Sequence, residues 1–102
     1  MDSYEIRDWI LAVLGSRKNV IRQEAFLDIN HYVEHTEYAM AYEYLLLELM
    51  ESDSCLCEHR SEVLCIGLAL GLDQDYHYDE NFWRKLENFC AQTDLEVDES
   101  KH

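Results

Sequence analysis

Ile6, Trp9, Ile10 and Val13 recur at three- and four-residue spacing, which predicts a first helix from about Ser3 to Leu14. Asp2 and Glu5 have the spacing of a capping box at its start, and Gly15 suits a left-handed stop. A short basic linker, Ser16-Arg17-Lys18-Asn19, follows. Ala25, Phe26, Ile29 and Val33 then mark the inner face of a second helix over about Ile21 to His35. A third helix is predicted from Glu37 to Glu51, with Thr36 as its N-cap and Tyr38, Tyr42, Leu45, Leu46 and Leu49 toward the core. After the turn Ser52-Asp53-Ser54, a fourth helix runs from about Cys57 to Leu70 and ends at Gly71. Val63, Leu64, Ile66, Leu68 and Leu70 surround that fourth helix on nearly all sides, so it is the expected buried centre. Asp79 caps a last helix that reaches Gln92 and turns Phe82, Trp83, Leu86 and Phe89 inward.

The expected architecture is all-α, a compact single-domain bundle of about five helices over residues 1–92, with a polar, acidic, frayed tail over 93–102. Composition agrees: proline is absent, glycine occurs three times, and 48% of the residues are hydrophobic, so β-type punctuation is missing and disorder is excluded. One domain of 102 residues has an expected radius of gyration of roughly 13 Å. No apolar run is long enough to span a membrane, and MDSYEIRDWI lacks the basic start of a signal peptide. The four cysteines, Cys55, Cys57, Cys65 and Cys90, are too few for a disulfide scaffold. They read as reduced core or turn thiols of a cytoplasmic protein.

Catalytic signatures are missing. There is no Gly-x-Ser-x-Gly elbow, no glycine-rich phosphate loop and no His-Glu-x-x-His, and Ser61 beside His59 sits on a helix expected to be buried or half-buried. The expectation is a protein that is not an enzyme and carries no cofactor. Cys55, Cys57, His59 and Cys65 lie close in sequence, but Cys-x-Cys running into a helix does not match the paired spacing of a structural zinc site. The loop Asp73-Gln74-Asp75-Tyr76-His77-Tyr78-Asp79 alternates oxygen ligands, yet it lacks the sixth-position glycine and twelfth-position glutamate of a calcium loop. No metal is expected.

Charge is the feature that carries function. Between Arg22 and Arg84 there are fourteen carboxylates and one basic residue, Arg60; that stretch sums to −13, the preceding residues to +1 and the remainder to −2, which makes the net −14. Self-repulsion on this scale opposes compaction, and its simplest use is to steer and orient a strongly basic partner. Phosphates would be repelled, which excludes nucleic acid and anionic membranes as partners. On the third helix, Glu37, Ala41, Tyr44, Glu48 and Glu51 fall within about 40° of one another, an acidic stripe with an aromatic anchor and no basic residue at i±3 or i±4. Glu34 and the loop residues Asp73, Asp75, Tyr76, Tyr78 and Asp79 extend it. The predicted partner-binding set is therefore Glu34, Glu37, Tyr44, Glu48, Glu51, Asp73, Asp75, Tyr76, Tyr78 and Asp79.

The run Tyr32-Val33-Glu34-His35-Thr36-Glu37-Tyr38-Ala39-Met40-Ala41-Tyr42-Glu43-Tyr44-Leu45, the Gly71-Leu72-Asp73 stop and the Phe82-Trp83 pair resemble the MafI-like immunity proteins. The likeness covers roughly residues 24 to 92, with Ala41, Glu43 and the glycine-leucine stop as its best points. These small acidic helical proteins accompany polymorphic toxins of Gram-negative bacteria, including contact-dependent growth-inhibition systems, where the immunity protein is called CdiI. The resemblance implies a cytosolic antidote that neutralises a cognate toxin domain, often an EndoU-type ribonuclease, by plugging its basic cleft. The family has no catalytic residues to carry over, and its toxin contacts differ from pair to pair. Two other classes fit the same charge: an acidic nucleic-acid mimic that inhibits a DNA-binding or restriction enzyme, and a general helical adaptor. Trp9 and the tyrosines could equally serve a homodimer.

Overall fold

The computed structural model describes residues 2–52, 60–74 and 80–90. They form α1 (Ser3–Ser16), α2 (Gln23–Glu34), α3 (Tyr38–Glu51), α4 (Arg60–Ala69) and α5, helical over 82–90, and no strand occurs among them. The radius of gyration is 13.4 Å, as a compact chain of this length requires. The protein is an all-α single-domain bundle. The expected tail over 93–102 lies outside the described residues.

α1 begins as its sequence dictates. The Asp2 carboxylate accepts from the Glu5 amide at 2.9 Å, and the Asp2 amide donates back to the Glu5 carboxylate, which completes a capping box. Gly15 does not stop the helix; it stays helical and α1 continues to Ser16, whose hydroxyl donates to the Val13 carbonyl at 3.0 Å. α4 ends at Gly71, with φ +75°, where the Gly71 amide reaches the Leu68 carbonyl and the Leu72 amide the Gly67 carbonyl. This pair of bonds is a Schellman stop, and Leu72, just beyond the glycine, is buried in the core.

The buried central helix is α3, not α4. Leu68 is 55% exposed and Cys65 faces outward, so α4 presents only Val63, Ile66 and the glycine at 67 fully to the interior. α3 instead buries Ala41, Tyr42, Leu45, Leu46 and Leu49 together with two carboxylates, Glu43 and Glu48. It packs most extensively on α2 and also on α1. Tyr42 ties three helices together. Its hydroxyl donates to the Val63 carbonyl of α4 at 2.6 Å, and its ring lies 5.6 Å from that of Trp9 in α1, tilted by 51°. Phe82 and Leu86 bring α5 into the same core, while Trp83 and Phe89 are half-buried against it. α5 approaches α4 closely at Gly67, where a β-carbon would stand only 2.6 Å from Trp83 Cζ3.

The turn between α2 and α3 is unusual. Thr36 is not an N-cap; Glu37 occupies that position without a side-chain bond, and Thr36 adopts φ +57°. Its amide donates to the Val33 carbonyl and the Glu37 amide to the Tyr32 carbonyl, so α2 ends in a second Schellman stop. A β-branched residue fills the left-handed position that glycine normally takes, at a cost of about 1–2 kcal/mol. Thr36→Gly is therefore expected to raise stability by about 1 kcal/mol, after allowance for glycine's greater freedom in the unfolded chain. The midpoint of urea unfolding reads the change; an unchanged or lowered midpoint would remove the strain from the account.

Candidate functional site at the α2–α3 corner

The predicted acidic stripe of α3 does not form one outward surface. Ala41 is fully buried and Glu48 is 7% exposed, because this side of the helix faces α2 and the linker before it. The Glu48 carboxylate accepts two bonds from one guanidinium, Arg22 Nε to Oε1 at 3.0 Å and Arg22 Nη2 to Oε2 at 2.8 Å. Glu48 is thus paired through a bidentate clamp, and its place in the partner-binding set is corrected: it anchors the start of α2 to α3. The same bonds push the Arg22 guanidinium further above its already high pKa, so the cation persists at any ordinary pH. Arg22 precedes α2, and the i±3 and i±4 rule that marked Glu48 as unbalanced could not reach a partner 26 residues away.

Tyr44 is also engaged within the fold. It is half-buried, and its hydroxyl donates to the Asp28 carboxylate of α2 at 3.3 Å. Burial first, then the neighbouring Asp28 charge and its hydrogen bond, push the phenol above its usual value. Glu34, Glu37, Glu51 and Asp73 are exposed, as a contact surface requires. Asp75, Tyr76, Tyr78 and Asp79 lie outside the described residues, as do Cys55, Cys57 and His59. Glu34 and Glu37 flank the strained Thr36, whereas Glu51 closes the far end of α3, about 20 Å away at the helical rise of 1.5 Å per residue.

What the structure adds is the outer face of α2. Glu24, Asp28, His31 and His35 follow one another at intervals of four, three and four residues, and all four are exposed. Leu27, 59% exposed, lies beside them, and Glu34 and Glu37 continue the face around the corner. This spacing is visible in the sequence, where the longer acidic pattern of α3 is the stronger signal. This face presents carboxylates, two imidazoles and one apolar side chain, a composition able to take up a cationic surface.

Among the described residues, no group of three or more histidine, cysteine, aspartate or glutamate side chains converges on a metal-sized space. Cys90 is buried, as expected of a core cysteine, while Cys65 is exposed on α4. No described helix is long and apolar enough to cross a membrane. No protein-family model, curated protein or solved structure matches the chain.

Proposed function

We propose that this protein is a non-catalytic, cytoplasmic immunity protein that binds a basic toxin domain, an EndoU-type ribonuclease delivered by contact-dependent inhibition, and occludes its active-site cleft. The carrying observation is the concentration of negative charge on the folded body: −13 between Arg22 and Arg84. Two of those carboxylates, Glu43 and Glu48, are buried, but Glu24, Asp28, Glu34, Glu37, Glu51, Glu62, Asp73 and Glu80 are exposed. A ribonuclease must attract phosphate, so its cleft is positive, and an acidic helical corner complements it. The strained Thr36 favours the corner as the point of contact, since left-handed non-glycine residues persist where the surroundings over-determine them. The sequence resemblance to MafI-like immunity proteins supplies the toxin class.

Co-purification with the polypeptide encoded directly upstream, followed by RNA cleavage with and without this protein, tests the proposal. A stable complex that silences cleavage is expected; an upstream product that neither binds nor cleaves RNA would refute the ribonuclease-antidote reading. Association should also be steered. Raising salt from low to several hundred millimolar is expected to slow the on-rate by about tenfold or more, as screening shortens the reach of the field. A salt-independent on-rate in stopped flow would refute steering.

A further inference from the structure

We propose that His31 and His35 form a two-imidazole site for a borderline divalent transition-metal ion of the nickel, copper or zinc type, independent of the partner reading above. The two residues stand one helical turn apart on the exposed face of α2, with ring centroids 4.4 Å apart and a tilt of 58°. At i and i+4 their side chains project in the same direction, and small rotations bring one nitrogen of each ring within the 2.0–2.1 Å of a shared ion. Imidazole is the ligand that such ions prefer among neutral donors.

Three features of the surroundings favour a dication. His31 lies in the last turn of α2 and His35 is its C-cap, so both sit at the negative end of the helix dipole. Glu34 and Glu37 are exposed beside the pair. The net charge of −14 raises the local concentration of any cation. The order His31-Tyr32-Val33-Glu34-His35 also has the His-x-x-Glu-His spacing of inverted zinc peptidases. A catalytic zinc needs three protein ligands, and among the described residues no third donor converges. The site is therefore a chelate completed by water, and its effect is to tie together the last turn of α2 just before the strained Thr36.

Calorimetric titration of the untagged full chain with nickel chloride tests this, with thermal melts by circular dichroism alongside. One equivalent is expected to bind, and nickel in excess should raise the melting temperature. His31→Ala and His35→Ala each remove one arm of the chelate and should weaken binding by about tenfold or more, with the thermal shift abolished. Both positions are exposed, so the helical spectrum should survive substitution and report it. Absence of binding up to about 1 mM nickel would overturn the site. Unchanged affinity in the double variant would overturn it too, placing the ion on the thiols or on other histidines.

Discussion

Tyr42→Ala is expected to lower the stability of the fold by about 3–5 kcal/mol, the range for removing a fully buried aromatic ring. The residue has no solvent exposure, lies at the meeting of α1, α3 and α4, and packs its ring against Trp9. Because a domain of this size is held by only about 5–15 kcal/mol, the variant should melt far below the parent and border on unfolding at 37 °C. Tyr42→Phe separates the ring from the hydroxyl. It keeps the packing and loses the bond to the Val63 carbonyl, and should cost about 1 kcal/mol. Urea unfolding monitored by circular dichroism measures both, and equal losses in the two variants would contradict the assignment of most of the effect to the ring.

The hydroxyl carries a pH signature as well. Burial pushes the Tyr42 phenol well above its ordinary value of 10.0. In the unfolded chain the phenol ionises near that value, while in the fold it stays neutral to higher pH. Its stabilising contribution is therefore complete below pH about 10 and is lost as the pH rises beyond it. Tyr42→Phe has nothing to ionise, so its deficit relative to the parent should shrink in that alkaline window. A constant deficit through the window would show that Tyr42 titrates no differently in the fold.

If the proposed antidote function holds, reversal of Glu34, Glu37 and Glu51 to lysine should weaken binding to the toxin domain by about 100-fold or more, chiefly through a slower on-rate. The three sites are exposed, and the change moves the net charge from −14 to −8, two units for each. Glu48 is deliberately kept. Its reversal would place a cation against Arg22 in a nearly buried position and confound binding with unfolding. A lysine at position 37 stands at the N-cap of α3, against the helix dipole, and should cost about 0.3–1 kcal/mol. That loss is small enough for the variant to remain folded. Surface-plasmon titration against the purified toxin domain reads the result, and unaltered affinity would move the interface away from the α2–α3 corner and the end of α3.

Features governed by neighbours in sequence were legible without coordinates. The Asp2–Glu5 capping box, the glycine stop after α4 and the inward face of α5 at Phe82 and Leu86 all follow from spacing within a few residues. Features governed by distant neighbours were not. Glu48 reads as surface because carboxylates are ordinarily exposed, and only folding brings Arg22 to it. The same expectation made α3 look two-faced, when burial of Glu43 and Glu48 makes it the centre. Glu43 is fully buried with its interactions satisfied, a placement its charge conceals. Thr36 misled for a different reason: threonine is a good N-cap, and nothing local signals that it has been forced into glycine's place.

The Schellman stop at Thr36 has a kinetic consequence. It folds α2 back on α3 through a connection of only three residues, and these two helices share the most extensive packing among the described elements. Closing so short a loop sacrifices little chain entropy, so this hairpin can assemble before α1 and α4 find their places. The strain at Thr36 must then be met early, on the way up the folding barrier. Its relief in Thr36→Gly should surface as faster refolding, with the unfolding rate left nearly as it was.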